Sequence, residues 1–172
     1  MSTIEMMIQE LEQEAKTTER VLERVPADRL GWKPHDKSWT LGQLALHTAT
    51  VPGLLAEAAT RSPFPLPGFT QGSPATSAEL VPALRQSVTK ATTILRGMSD
   101  QDLAKTWRAV RGDQEVLALP VSALLRSIML NHWYHHRGQL CVYLRQVGAQ
   151  VPSIYGPSAD ENPFVGVPVA SV

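Results

Sequence analysis

Helical periodicity of apolar residues is the feature that most limits what this chain can fold into. Ile4, Met7, Ile8 and Leu11 recur at the three- and four-residue steps that place side chains on one helix face. The same spacing returns three more times, and Pro120 stands where proline favours the start of the last stretch. The periodicity predicts helices at about residues 4–25, 40–60, 77–98 and 120–147.

The second of these helices carries both a start signal and an interruption. Ser38 or Thr40 can cap its N-terminus, because each offers a hydroxyl oxygen to free backbone N–H groups. The pair Pro52-Gly53 lies inside the helix. Proline has no N–H and its ring clashes with the preceding turn, so the pair predicts a kink or a broken turn.

The connections after the second and third helices are long. Residues 61–77 are rich in proline and glycine and show no periodicity. Residues 106–119 alternate around Gly112-Asp113, which predicts a small hairpin. The tail at 148–172 has no helix signal. Together these features predict an all-α four-helix bundle, a single domain over residues 1–172, with long connections between helices 2–3 and 3–4.

Composition narrows the classes of function. Sixteen basic residues balance sixteen acidic ones, so no electrostatic footprint for nucleic acid is present. No apolar run approaches the roughly 20 residues that span a bilayer, and the first residues lack the apolar core of a secretory signal. Cys141 is the single cysteine, which excludes a disulfide framework and a cysteine-based zinc cage. We expect a cytoplasmic protein without nucleic-acid or membrane partners.

Three of the five histidines point toward the core of the predicted bundle. On a helical wheel His132 and His136 lie about 40° apart within one apolar stripe of the fourth helix. His47 lies among apolar residues of the second helix in the same way. His135 falls at the edge of the stripe, and His35 lies in a loop with no such context.

These histidines have two interpretations, and the residues alone leave both open. A buried histidine needs only one hydrogen-bond partner, so each could be a packing residue. Three inward imidazoles with no neighbouring carboxylate could instead share a metal ion, and two of them have the i, i+4 spacing that zinc enzymes use. The sequence contains no Glu-x-x-His, which argues against a di-iron bundle. The donor set suits one divalent ion, first zinc or nickel, with iron, manganese or copper as alternatives.

Two segments carry a family resemblance. "SWTLGQLALH" in the second helix and "NHWYHHRGQL" with the following "YLRQVGAQVPSIYG" in the fourth resemble the DinB-like family, including its YfiT-type members. The resemblance implies a four-helix bundle, commonly a homodimer, with a divalent metal ion held by His47, His132 and His136. It also implies that His135 is not a ligand.

The resemblance implies more than one activity. Some members transfer low-molecular-weight thiols such as bacillithiol or use mycothiol, and others are described only as metal-dependent hydrolases. We therefore expect a small-molecule substrate, with thiol S-transfer as the first hypothesis. Hydrolysis is the second, and a non-catalytic metal-binding or interaction protein is the third. Gln43, Gln139 and Tyr143 could face the site, or could support and pack around it, and no residue has the spacing of a dedicated general base.

The opposite face of the fourth helix is also apolar. Leu130, Tyr134, Cys141 and Leu144 form a strip there, away from His132. Such a strip must be covered by other helices or by a second subunit, and we expect a homodimer that uses part of it or the adjoining face of the first helix. Arg137 is expected at the rim or in an ion pair, and Trp32, Trp39 and Trp133 are expected to be packing anchors.

Overall fold

The computed structural model describes residues 2–66 and 70–165, and four long helices dominate them. The last long helix is continuous but includes a π-helical segment, a wider form of turn. Two 3-10 turns, Ala27–Arg29 and Ser77–Glu79, lie between the helices. The helical elements are α1 (Thr3–Leu22), α2 (Leu41–Ala59), α3 (Leu80–Arg96), the short α4 (Asp100–Ala104), α5 (Val121–Ala123), the π-helical segment (Leu124–Leu130) and α6 (Asn131–Gln146).

The predicted all-α four-helix bundle is confirmed, with both long connections in place. The first helix ends at Leu22 instead of near Val25, and the third begins at Leu80 after a 3-10 turn. Thr40, rather than Ser38, caps α2: its hydroxyl accepts a hydrogen bond from the backbone N–H of Gln43, and the Gln43 side chain accepts one from the N–H of Thr40. This reciprocal pair fixes where α2 starts.

Of the two outcomes predicted at Pro52-Gly53, the broken turn is wrong, because α2 continues through the pair to Ala59. Proline leaves the carbonyl of Thr48 without its helical donor, and the indole N–H of Trp133 donates to that oxygen at 2.8 Å. The N–H of Gly53 donates to the hydroxyl of Ser87 at 2.8 Å. Side chains from two other helices therefore supply the hydrogen bonds that the interruption removes.

A three-stranded sheet occupies the two long connections. Its strands are β1 (Phe64–Pro65), β2 (Thr106–Arg111) and β3 (Gln114–Pro120). β2 and β3 form the predicted antiparallel hairpin, and the turn contains Gly112 at a φ of 59°, a conformation that favours glycine. β1 pairs with β2 in parallel and was not predicted. The Trp107 indole N–H donates to the carbonyl of Ala58 at 2.9 Å, which ties the sheet to the end of α2.

The second apolar strip, which runs from Leu130 of the π-helical segment along α6, packs inside the chain, so it does not need a second subunit to cover it. Leu130 and Leu144 are fully buried, while Tyr134 and Cys141 are partly buried. Tyr134 also donates a hydrogen bond to Glu10 of α1 at 2.9 Å. The core of the bundle thus includes this strip. Within the described ranges, none of the helices is long and apolar enough to cross a membrane.

Candidate metal centre

The side chains of His47, His132 and His136 meet at one point between α2 and α6. The Nε2 atom of His132 lies 3.0 Å from Nε2 of His47 and 3.1 Å from Nε2 of His136. One ligand nitrogen from each ring lies within 4.8 Å of the others. A zinc ion binds imidazole at about 2.0–2.1 Å, so nitrogens this close can reach a single ion. We call these three residues the histidine cluster.

Two glutamines orient the rings of the cluster. The amide oxygen of Gln71 lies 2.9 Å from Nδ1 of His47, and that of Gln139 lies 2.8 Å from Nδ1 of His136. The side chain of Gln43, which caps α2, also donates to the backbone carbonyl of Gln71 at 3.3 Å. One chain of hydrogen bonds therefore links the start of α2, the loop that contains Gln71 and the ring of His47.

These hydrogen bonds decide which nitrogens carry protons. Because an amide oxygen only accepts, Nδ1 of His47 and of His136 each donate, which leaves the two Nε2 atoms as lone-pair acceptors. His132 Nε2 faces both of them and can donate to only one. A cation between the three rings can accept a lone pair from each of them, so the donor set fits a divalent metal ion.

The surroundings also keep the rings neutral. Burial is the main cause that lowers the pKa of His47 to about 4, and the neighbouring histidines add to it. Burial likewise lowers the pKa of His136 to about 4, opposed by the hydrogen bond to Gln139. The pKa of His132 is lowered for the same reason, with His135 as the second cause. Neutral imidazole is the form that binds metals, so the cluster is ready for metal at neutral pH.

The hydrogen bond that Pro52 removes from α2 is replaced by one that aligns the two helices carrying the cluster. Trp133 follows His132 directly, and Thr48 follows His47 directly. The indole N–H of fully buried Trp133 donates to the Thr48 carbonyl that Pro52 leaves free. This contact between α6 and α2 fixes the position of His132 relative to His47 along the helix axes. Trp133 was expected only as a packing anchor, and its hydrogen bond could not be seen from local spacing.

Two cavities of different character border the cluster. One, of about 320 Å³, is lined by His47 and His132 together with Val51, Leu54 and Leu55. The other, of about 280 Å³, lies on the His136 side. Its further lining is polar apart from Leu44 and the aromatic rings, and includes Lys37, Ser38, Gln139 and Tyr143. Trp39 lines both cavities and packs on His47 and His136, with ring centroids 4.9 and 5.7 Å away.

The remaining candidate residues divide between the site and the scaffold. Gln139 supports His136 and lines the polar cavity, and Tyr143 lines that cavity while packing edge-on against Trp32 at 5.6 Å. Gln71 was missed, because it lies in a loop without periodicity. His135 is exposed, and its ring contacts His136 at 5.1 Å between centroids without joining the cluster.

Arg137 is buried rather than at the rim, and the predicted ion pair is present. It is 2% exposed and pairs with the carboxylate of Glu14 at 2.6 Å. It also donates to the hydroxyls of Thr18 and Tyr155 at 3.1 and 2.5 Å. The Tyr155 hydroxyl in turn donates to Glu14 at 2.8 Å. We call these four residues the arginine cluster; it joins α6 to α1 and to the segment after α6.

The family of the chain follows from comparison with known proteins. The match to the DinB family extends over residues 1–163. The chain belongs to the DinB family. It is 28% identical over 160 residues to the "Uncharacterized protein YrdA" of Bacillus subtilis (strain 168), covering 92% of each chain.

Solved structures share the fold. A DinB-like protein from Bacillus cereus ATCC 10987 is 25% identical, with a TM-score of 0.68 over 87% of this chain and 95% of that one. YfiT from Bacillus subtilis, described as a "probable metal-dependent hydrolase", is 18% identical, with a TM-score of 0.64 over 87% and 91%. A mycothiol-dependent maleylpyruvate isomerase is 14% identical, with a TM-score of 0.54 over 88% of this chain and 63% of that one.

Proposed function

We propose that this DinB-family protein binds one divalent metal ion through His47, His132 and His136 and uses it to transfer a thiol to a small-molecule substrate. Zinc or nickel is the ion we favour, because three neutral imidazoles suit either. The observation that carries the proposal is the convergence of three Nε2 atoms between two cavities, with no carboxylate among the described residues that line them.

The missing carboxylate separates the two enzymatic hypotheses. Hydrolysis of an ester or amide uses a nucleophilic water and also a group that protonates the leaving atom. Among the described residues lining either cavity, outside the histidine cluster itself, none is a carboxylic acid or a histidine, and the side chains left for this role are those of Lys37 and Tyr143 in the polar cavity. A thiol needs less help, because a divalent metal held by the three histidines would supply the positive charge that favours loss of the thiol proton. The arrangement therefore supports transfer over hydrolysis.

The transfer balances without a further reactant. The thiol proton leaves to solvent, the sulfur lone pair forms a carbon–sulfur bond to the electrophilic carbon, and the bond from that carbon to its leaving group breaks. The leaving group departs with the bonding electron pair. The chain contributes the orientation of the three rings through Gln71 and Gln139 and the exclusion of water by Trp39 and the apolar residues beside it.

The fold relatives are compatible with both enzymatic hypotheses. YfiT carries a description as a probable hydrolase, and the isomerase of the same fold is mycothiol-dependent. Both activities are thus associated with this bundle, and fold alone does not select between them. The geometry of the lining residues is what favours the thiol.

Turnover with a panel of thiols and alkyl halide or epoxide acceptors tests the proposal. We expect metal-loaded protein to consume the thiol. Chelation should abolish this consumption while the helical circular dichroism stays unchanged, and adding zinc or nickel should restore it. Hydrolysis of aryl esters without any thiol consumption would favour the hydrolase. Absence of both, with tight metal binding, would favour a non-catalytic metal-binding protein.

We also propose that the chain forms a homodimer in a cytoplasmic setting. Leu130 and Leu144 are buried inside the chain and cannot provide the interface. Met6 on α1 is 51% exposed and Val142 on α6 is 57% exposed, so the outer faces of these helices offer apolar side chains to a partner. Light scattering on the wild type and on Val142→Glu tests this. A mass near 18.8 kDa for the wild type at micromolar concentration would refute the dimer.

A further inference from the structure

The two cavities beside the histidine cluster differ in the chemistry that they accept. Outside the cluster, the cavity on the His47 side is lined by a tryptophan, a valine and two leucines, with no charged side chain among its described residues. The cavity on the His136 side includes one cation, Lys37, and the polar groups of Ser38, Gln139 and Tyr143. Trp39 lines both cavities, and its ring contacts His47 of the first and His136 of the second.

We infer that two reactants reach the centre from opposite sides of Trp39. A small electrophile with an aliphatic chain or aryl ring occupies the cavity next to His47 and His132, and a polar thiol bearing a carboxylate occupies the cavity next to His136. The inference rests on the proposed function, and it adds the substrate class that the site selects.

The apolar cavity sets the character of the electrophile. Its volume of about 320 Å³ lies at the small end of the range for ligand sites, about 300–1,000 Å³. Val51 is 2% exposed and forms its floor, whereas Leu54 is 52% exposed and forms its rim. A carboxylate or a sugar placed among the aliphatic residues, away from His47 and His132, loses water without gaining a hydrogen-bond partner there, which costs free energy. An alkyl or aryl group gains instead from leaving water.

The polar cavity suits the second reactant. Lys37 lies in the exposed loop before α2, and its ammonium group supplies the one charge among the described lining residues of either cavity. The hydroxyl of Ser38 and the side-chain amide of Gln139 add hydrogen-bonding groups around it. A thiol that carries a carboxylate can direct its sulfur toward His136 while the carboxylate contacts Lys37.

Binding of unreactive primary alcohols tests the apolar side without turnover. Full-length protein is titrated with 1-propanol to 1-hexanol, followed by ¹H–¹⁵N NMR. We expect Kd to fall about fourfold per added methylene, from about 0.8 kcal/mol for each buried CH₂. Leu54→Asn should weaken 1-hexanol binding about fivefold, on the same basis. Leu117→Asn, the same change at a 39% exposed leucine of β3, should not.

Chain-length independence, or equal effects of Leu54→Asn and Leu117→Asn, would overturn the assignment of the apolar side. Val51→Thr gives a second variant of nearly equal shape, whose hydroxyl can bond a carbonyl of its own helix. It should also weaken 1-hexanol binding while leaving the fold intact. Alcohol binding with this chain-length dependence but no thiol transfer would refute the proposed function and keep the apolar cavity.

The polar side is tested with two thiols of equal length on metal-loaded protein. We expect 3-mercaptopropionate to bind more tightly than 3-mercapto-1-propanol. Lys37→Gln should weaken binding of the first about two- to fivefold, the range of an exposed ion pair, and leave the second unchanged. Lys16→Gln, an equal loss of charge on the exposed side of α1, should change neither. Equal effects of Lys37→Gln on both thiols would overturn the role of Lys37.

Discussion

The helix α6 buries two polar clusters, and they are built on opposite principles. In the histidine cluster three nitrogens face one another with at most one proton to share, and no opposite charge is present among them. In the arginine cluster a cation meets an anion at 2.6 Å, and hydroxyl groups complete the hydrogen bonds. The first arrangement offers three ligand nitrogens to one cation, and the second already holds its own cation. We therefore propose a metal-binding role for the first and a folding role for the second.

Substituting the three proposed metal ligands should have the largest effect on the histidine cluster. His47→Ala, His132→Ala and His136→Ala should each lose bound metal, because two imidazoles hold a divalent ion far less well than three. His135→Ala is the matched control on the same helix and should keep it. Elemental analysis of protein purified without a histidine tag measures the effect. Full metal content in any of the first three variants would remove that residue from the site.

The arginine cluster should show the reverse behaviour. Arg137→Met leaves the carboxylate of Glu14 without its partner in a buried position and should cost about 3–5 kcal/mol of unfolding free energy. Metal content per folded molecule should stay unchanged. Urea unfolding with elemental analysis checks both results.

The double variant Arg137→Met/Glu14→Met provides the control. It removes both charges and should recover much of the loss, since replacing a buried ion pair by apolar groups is often close to neutral. A variant that folds normally but loses its metal would show that the two clusters are coupled.

Local periodicity accounts for what the sequence could reveal. The four helices, the hairpin at Gly112 and the inward direction of His47, His132 and His136 depend on residues a few positions apart, and all were predicted. The continuity of α2 depends on partners far along the chain. Gly53 bonds Ser87, 34 positions away, and Thr48 bonds Trp133, 85 positions away. No local pattern encodes such contacts.

The same limit explains the missed parts of the site. Gln71 lies 24 positions from His47, in a proline- and glycine-rich loop without periodicity. Gln139 was found as a candidate because it is three positions from His136 on the same helix. The wheel drawn at one fixed angle per residue also could not show the wider turns of the π-helical segment, and so could not decide what covers Leu130.

Lowering the pH should reduce the stability of the metal-free protein through the histidine cluster, by less than the Arg137→Met substitution does. In metal-free protein the pKa of His47 and of His136 is about 4, below the ordinary value of about 6.5 that applies after unfolding. Between these values the unfolded chain binds more protons, so stability is lost as pH falls from about 6.5 to 4. We expect a loss of about 2 kcal/mol by pH 4, since each pKa unit corresponds to about 1.4 kcal/mol and the rings are only partly shielded.

Thermal unfolding of metal-free wild type and of His47→Gln/His136→Gln measures this loss. The double variant lacks the two titrating rings, so its midpoint should depend less on pH over this interval. Equal slopes would show that other groups cause the acid sensitivity. The lowered pKa values also lower the pH at which the metal is released. Protons should displace the metal well below pH 6.5, about the pKa of an ordinary imidazole.

The glutamines that hold the rings give the smallest effect and the finest distinction between binding and folding. Gln71→Ala frees Nδ1 of His47, and Gln139→Ala frees Nδ1 of His136, so each ring can turn or change tautomer. Loss of such a partner costs about 10–100-fold in metal affinity. Gln71→Ala should lie toward the upper end, because Gln71 is partly buried, whereas Gln139 is exposed and water can replace its amide. Gln146→Ala, an exposed glutamine at the end of α6, is the matched control.

Competition with a chelator at pH 7 measures the metal affinities of the three variants. Their unfolding free energies should agree with that of the wild type within about 0.5 kcal/mol, as for ordinary surface substitutions. Affinities equal to that of the wild type would show that packing against Trp39, rather than these amides, holds the rings.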